Sequence, residues 1–272
     1  MTITSPTYPR PSSVRQTLLE AWSLRRVWWF TATARTRARF VRTLFGSFWL
    51  GLSNLFSIGA LALVYGTVFG RDDFNTYVVY LGIGLVVWNT IAGAISSAPN
   101  LFERNHSHVH NTSLNPIFYT LEEWAFQLQT FAQSFLLVIL ALSIYQHDLF
   151  VKLLMVGWLP LLNVFLFIYW CPVLICVLGA RYRDLYQLVP VVLQLVFLLS
   201  PILYEKKNLA AKWGGIADFN PIYRILSPFR HSLITGELKI GQGLLVLAVN
   251  IIGIWIAVRL INRERPNLPF LI

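Results

Sequence analysis

The chain has 272 residues, of which 56% are hydrophobic and 12% charged, and its formal net charge is +10. This composition is typical of an integral membrane protein and excludes an ordinary soluble globular domain. The arginines cluster ahead of the first apolar stretch, which indicates attraction to anionic headgroups rather than a groove for nucleic acid.

Six apolar windows contain none of the Asp, Glu, Lys, Arg and His residues. They are Phe48–Phe69, Tyr77–Ala98, Trp124–Ile144, Leu153–Leu178, Leu185–Leu203 and Ile240–Val258. Each can cross a hydrocarbon core about 30 Å thick. Backbone amides find no water there, so each window is predicted to be a helix. The prediction is an all-α polytopic membrane protein with six transmembrane helices in a domain over residues 45–262.

The region before the first window, residues 1–44, is predicted to be cytoplasmic and to contain an interfacial amphipathic helix over Gln16–Thr33. Its large apolar side chains share one side of that helix. They are Leu18, Leu19, Trp22, Trp29 and Phe30. Arg25 projects into this side, but a long Arg stem can reach back to water. The helix either anchors the chain on the membrane or holds a lipid phosphate.

The segment between windows two and three, Pro99–Glu123, carries a His-x-His-x-His run at His106, His108 and His110. Alternate residues of a helix point to different sides, so we expect a solvated cytoplasmic face rather than a metal site. Pro116 and the acidic pair Glu122–Glu123 are expected to mark the start of the third transmembrane helix, where acids suit the helix dipole.

The segment between windows five and six, Glu205–Lys239, is too apolar for a plain linker and is broken by glycines and prolines. Two predictions fit it: re-entrant half-helices in the outer leaflet, or a helix pair lying flat on the membrane. The positive-inside rule places both termini in the cytoplasm, including the C-terminal residues 263–272.

The windows hold no acid or base that could relay a proton, and the sequence shows no nucleotide-binding loop. We therefore expect the energy for any transport to come from a partner chain. No nucleophile–base pair or metal set is visible in the sequence, so no catalytic residue, metal or cofactor is expected on this chain.

Three stretches carry a resemblance to a known family. They are RTRARFVRTLFGSFWLGLSNLFSIGALALVYGTVFG, GARYRDLYQLVPVVLQLVFLLSPILYE and FNPIYRILSPFRHSLITGE. In their order and spacing, the chain resembles the transmembrane subunits of ABC-2 type exporters, in the branch that exports O-antigen, capsule and teichoic acid. The resemblance covers most of the chain from about Gln16 onward.

The resemblance implies a homodimer in the bacterial inner membrane, bound to two copies of an ABC ATPase that holds ATP and Mg. It implies export of a lipid-linked polysaccharide on an undecaprenyl pyrophosphate carrier. The coupling segment, about 99–120, would contact the ATPase through Asn100, Glu103, Arg104 and Asn105. The stretch HSHVHNTSLNPIFY departs from the family pattern, because relatives usually have a more apolar stretch with a Phe-Pro pair before the third span.

Aromatic side chains are the candidates for a sugar-conducting path, because their rings offer an apolar face to sugar C–H bonds. The first span places three on one helical face, and the fifth span offers three more. They are Phe45, Trp49 and Phe56, then Tyr186, Phe197 and Tyr204. Packing inside the protein, or an aromatic belt at the membrane interface, is the alternative for each.

The candidates for binding the carrier's pyrophosphate are Arg181 and Arg183 in a tight inner turn, and Arg25 and Arg26 near the N-terminus, because Arg forks match phosphate oxygens. A local pair with Asp184 is the alternative for the turn, and the cluster over residues 35–42 is a further source of headgroup contacts. Two other functions remain open. One is a permease for a drug or small lipid, and the other a membrane enzyme acting on a polyprenyl carrier.

Overall fold

The computed structural model describes residues 13–68, 73–106, 114–204, 206 and 220–271. Every regular element in these ranges is a helix, which confirms the all-α prediction. Five of the described helices are long and apolar enough to cross a membrane. They are α3 (Phe48–Val68), α4 (Phe74–Ser97), α6 (Ile117–Leu142), α8 (Trp158–Arg181) and α11 (Ile240–Glu264). They correspond to the first, second, third, fourth and sixth windows.

The remaining helices are shorter. They are α1 (Val14–Ser23), α2 (Arg25–Arg39), α5 (Leu101–Arg104), α7 (Leu149–Met155), α9 (Leu185–Leu199), α10 (Pro221–Thr235) and α12 (Leu268–Leu271).

The prediction that the whole fifth window is helical is wrong at its end. Helix α9 ends at Leu199 and is about 22 Å long at the usual helical rise, shorter than a hydrocarbon core. Ser200, which precedes Pro201, has the extended backbone that a residue before proline prefers. The following residues up to Leu203 are buried although they are not helical. A crossing by α9 together with this segment stays a prediction.

Helix α4 lies at the centre of the protein. It packs against α3, α6, α8, α9 and α10, and nearly all its side chains between Tyr77 and Trp88 are buried. Helix α3 is the least buried of the five long helices, and α11 packs mainly on α8. The two outlying helices therefore present most of their surface to the surroundings.

The predicted N-terminal helix is two helices, because the chain breaks between α1 and α2 at Leu24. Their buried side consists mainly of small residues such as Thr17, Ala21 and Ala32, which pack on α11 and α6. The five apolar side chains that share the other side are exposed, Phe30 by 72%. An exposed apolar side is consistent with an interfacial helix, and its place at the membrane surface stays a prediction.

The outer segment contains α10, while residues 205 and 207–219, with Gly214 and Gly215, lie outside the described residues. The Asn220 side chain caps α10 by accepting hydrogen bonds from the amides of Ile222 and Tyr223, and Gly236 ends the helix with a left-handed φ of 80°. Buried apolar residues pack α10 against α4 and α8. Its depth in the membrane stays a prediction.

Candidate functional site

A cleft of about 700 Å³ lies between α2, α3, α4 and α6, with Arg104 of α5 at its edge. We call it the polar cleft. Its polar and charged lining residues are Arg35, Arg39, Asn54, Asn89, Thr90, Ser97, Arg104, Glu123, Gln127, Thr130 and Ser134. Leu50, Phe126 and Phe131 are among its apolar walls. Ionisable and polar side chains at transmembrane helices are costly and usually serve a function.

Glu123 of α6 is the centre of the charged end of the cleft. Its carboxylate accepts a hydrogen bond from Arg35 at 2.5 Å and lies 3.5 Å from the Arg104 guanidinium. Ser97 and Gln127 also donate to it, at 3.0 and 2.9 Å. The carboxylate is buried, and these four donors replace the water it has lost.

The prediction for the start of the third helix is confirmed for Pro116, which is the N-cap of α6, and is wrong for the acidic pair Glu122–Glu123. Helix α6 begins at Ile117, and the pair therefore lies in its second turn, beyond the free amides of the first turn. Both carboxylates pair with Arg35 instead, Glu122 at 3.3 Å. The two acids hold α2 against α6.

A ladder of amide and hydroxyl groups continues from the charged end along the helices. Asn89 donates to the carbonyl oxygen of the Asn54 side chain at 2.6 Å, and Asn54 donates to the Ser134 hydroxyl at 2.7 Å. Asn89 lies two turns before the end of α4 at Ser97, which is about 12 Å along the helix axis. The polar lining therefore reaches well into the apolar helices.

Two phenylalanines form the aromatic wall of the cleft. The Arg35 guanidinium lies over the Phe126 ring at 4.0 Å from its centre, and Arg39 lies 6.0 Å from the same ring. Phe131 stacks on Phe135 at 4.9 Å. Both rings are buried, so they form a packed wall on which the Arg35 guanidinium rests.

The six predicted channel residues lie outside the lining of the polar cleft. Phe45, Trp49 and Phe56 are exposed on or just before α3, and the first two stack at 5.5 Å. In the fifth window, Phe197 packs on Trp88, Tyr186 lies beside Glu103, and Tyr204 donates to the Leu198 carbonyl. Their role in a path stays a prediction.

Of the residues predicted to bind a headgroup, Arg35 and Arg39 of the cluster over residues 35–42 line the polar cleft, whereas Arg25, Arg26, Arg181 and Arg183 do not. Arg25 donates to the Trp22 carbonyl and lies 5.2 Å from its ring, Arg26 and Arg183 are exposed, and Arg181 lies over Tyr182. The four predicted residues are dispersed over two separate parts of the chain, and their binding of a phosphate stays a prediction.

The residues predicted for ATPase coupling surround α5. Leu101 and Phe102 bury one side of this short helix, while Glu103 and Arg104 are exposed. Asn100 precedes the helix, and Asn105 follows it and donates to the Leu101 carbonyl. A contact of this exposed side with an ATPase stays a prediction.

Within the described residues, no group of His, Cys, Asp or Glu has the arrangement of a metal site. Of the three alternating histidines, His108 and His110 lie outside the described residues. The prediction about that run is therefore untested.

The sequence did not reveal the polar cleft, because its members come from distant parts of the chain. Arg35 and Glu123 are 88 positions apart, and Asn54 and Ser134 are 80 apart. The available signal was the occurrence of Asn54 and Asn89 in otherwise apolar windows. Buried or half-buried amides in such windows indicate contacts between helices.

Comparisons with known proteins agree with the resemblance. Residues 30–234 match the family described as ABC-2 type transporter. The chain is also similar to the O-antigen export system permease protein RfbA of Klebsiella pneumoniae, with 22% identity over 212 residues, covering 75% of this chain and 78% of that protein. Because the family match spans most of the sequence, including the long helices that line the cleft, the chain belongs to the ABC-2 type transporter family as a multi-pass membrane subunit.

Proposed function

We propose that this chain is the membrane subunit of an ATP-driven exporter of a lipid-linked polysaccharide such as O-antigen. The observation that carries the proposal is the similarity to an O-antigen export permease over three quarters of both chains. A chain of this family moves its cargo with energy from a separate ABC ATPase. In our proposal, two copies of each subunit form the exporter in the bacterial inner membrane, with the termini of this chain in the cytoplasm.

The surfaces of α3 and α9 support a dimer in which two copies face each other. Both helices pack against α4, and both leave large side chains exposed on the side turned away from it. On α3 these include Phe56 and Leu63, and on α9 they include Leu188, Val191 and Leu195. In the dimer, the aromatic residues of α3 would lie along the path of the glycan.

The first experiment is affinity purification of the chain from its native membrane in mild detergent, with mass spectrometry and an ATPase assay. We expect a nucleotide-binding subunit at a near-equal molar ratio and ATP hydrolysis in the eluate. Recovery of the chain alone, without ATPase activity in any preparation, would contradict the exporter.

The second experiment identifies the cargo by deleting the gene and analysing lipid-linked glycans in the cell. Loss of an exporter for a lipid-linked polymer should leave that polymer on its carrier at the cytoplasmic face, with less glycan on the surface. Unchanged glycans together with a new sensitivity to drugs would instead support the alternative of a drug or small-lipid permease.

A further inference from the structure

The net charge of the polar cleft is positive. Three guanidinium groups and one carboxylate line it, which leaves two positive charges in excess. Glu122 pairs with Arg35 without lining the cleft and reduces this excess to one. Such an excess on a half-enclosed site favours an anion, because charges there are screened less than at an open surface.

The three arginines differ in their ability to bind a ligand. Arg35 binds both Glu122 and Glu123, and Arg104 pairs with Glu123 and donates to the Ser97 carbonyl. Arg39 is exposed and forms no ion pair with any described carboxylate, and its nearest described contacts are aromatic rings. Its guanidinium is therefore free to bind phosphate oxygens in a bidentate manner.

The uncharged part of the cleft fits a sugar. Asn89 is the exposed member of the Asn54–Asn89–Ser134 ladder, so its side chain can bond to a group in the cleft. Thr90 and Thr130 also line the cleft, but their hydroxyl protons are already donated to helix carbonyls, which leaves their oxygens as acceptors. The order from arginine to amide and hydroxyl groups matches phosphate followed by a hydroxylated sugar.

The volume also fits a ligand of limited size. About 700 Å³ is within the range of small-molecule sites, about 300–1,000 Å³, and is too small for a long glycan. The exposed apolar side of α3 adjoins the cleft through Leu50. A polyprenyl tail can therefore remain in the lipid beside α3 while only its headgroup enters.

From these four observations we propose that the polar cleft of a single protomer binds the diphosphate of a polyprenyl carrier through Arg39 and Arg104, with the first sugar against Asn89. The proposal rests on the proposed function. It selects Arg39 from the predicted cluster over residues 35–42 in place of Arg25, Arg26, Arg181 and Arg183, and it gives Arg104 a role other than the predicted contact with the ATPase. Arg35 positions the site by fixing Glu123.

The test uses the full chain in nanodiscs and native mass spectrometry, with undecaprenyl diphosphate as the probe. Arg39→Glu reverses the charge, and Gly93→Phe fills the cleft, since a Cβ at Gly93 meets only the Gln127 side chain at 3.7 Å. The matched controls are Arg263→Glu, at an exposed position of α11 outside the cleft, and Gly241→Phe, where an added Cβ meets nothing within 4 Å. We expect each cleft variant to lose about tenfold in affinity, the value of one charged hydrogen bond, while the controls bind as the wild type does.

The competing anions decide what the cleft recognises. Inorganic pyrophosphate and phosphatidylglycerol are added against the bound probe. If both anions displace undecaprenyl diphosphate only weakly, the cleft recognises the carrier as a whole rather than any phosphate group. Displacement by phosphatidylglycerol at equal concentration, or equal loss of the probe in the control variants, would overturn the proposal.

The outcome separates this proposal from the proposed function. If Arg39→Glu cells still display their glycan while the chain copurifies with an ATPase, the exporter stands and the site is wrong. If the probe binds in the cleft but gene deletion leaves all glycans unchanged, the site stands and the cargo is wrong. Equal thermal unfolding of variants and wild type excludes misfolding as the cause.

Discussion

At the scale of single residues, buried amides hold neighbouring transmembrane helices together. Asn250 of α11 donates to the backbone and side-chain oxygens of Asn163 in α8, at 3.1 and 3.0 Å. Its own oxygen accepts from Trp170 at 2.8 Å, and Asn163 donates to the Gly243 carbonyl at 3.0 Å. Lipid tails provide no hydrophobic force between helices, so this network directs the pairing of α8 with α11.

We therefore expect Asn250→Ala to destabilise the protein by about 1–2 kcal/mol, since polar contacts between membrane helices contribute about that much or less. In a Cys171→Ser background, the remaining Cys176 is buried in α8, so a thiol-reactive dye can report unfolding. The melting curve of Asn250→Ala should shift to a lower temperature than that of the unsubstituted chain. Val249→Ala, at the exposed neighbouring position, is the control, and an equal shift in both variants would argue against a special role for the network.

Glu123 is the second residue whose removal has a defined consequence. Glu123→Gln leaves Arg35 with Glu122 only and Arg104 with no carboxylate among the described residues. Both arginines are partly exposed, so we expect a loss of about 1–3 kcal/mol rather than the larger cost of a fully buried pair. The double variant Arg35→Gln/Glu123→Gln should melt at a higher temperature than the sum of single effects predicts. Additive effects would mean that the pair is not coupled.

At the scale of elements, the end of α9 is held by side chains of other helices. Arg230 of α10 donates to the carbonyls of Pro201 and Ile202, at 2.8 and 3.5 Å, and lies 3.6 Å from the Tyr80 ring centre. Tyr77 and Tyr80 donate to the Leu203, Pro201 and Tyr204 carbonyls. Non-helical backbone in a membrane protein needs such internal partners. Gly84 is required nearby, because any Cβ there would overlap the Arg230 guanidinium.

This arrangement predicts a local effect of Arg230→Met. The Ile202 carbonyl loses the Arg230 donor and the Pro201 carbonyl keeps only Tyr80. Amide hydrogens in residues 220–235 should therefore exchange about tenfold faster, equivalent to about 1.4 kcal/mol. Hydrogen exchange read by mass spectrometry is the measurement. Arg224→Met, at an exposed position of the same helix, is the control, and unchanged exchange in Arg230→Met would mean that α10 is held by its apolar contacts alone.

The sequence predicts long apolar elements better than it predicts their contacts. Five windows correspond to helices of spanning length, because a charge-free apolar run is a local property of the chain. The fifth window extends to Leu203, whereas α9 ends at Leu199. Pro201 has no backbone N–H to donate and so favours a helix end there, but hydropathy does not detect this. The acidic pair was misread because its partner, Arg35, is distant in the sequence. The polar cleft depends wholly on such distant pairs, so only the folded arrangement reveals it.

At the scale of the whole molecule, the exposed faces of α3 and α9 predict the dimer contact. In a Cys171→Ser/Cys176→Ser background, we expect Phe56→Cys to be crosslinked between copies by a short bismaleimide in native membranes. Leu245→Cys, on the exposed side of α11, should remain monomeric on a denaturing gel. Crosslinking through Leu245→Cys but not Phe56→Cys would place the dimer contact on the opposite side of the protein.

The side-chain bonds at the end of α9 also constrain how an exporter of this kind could open. They tie the segment that follows α9 to α4 and α10. Separating these helices in lipid would leave several carbonyl oxygens without a hydrogen-bond donor. We therefore expect the three helices to move as one rigid unit in the proposed exporter. In the proposed dimer, the passage for the glycan would widen when the two protomers rotate apart at their interface, while the packing inside each protomer is unchanged.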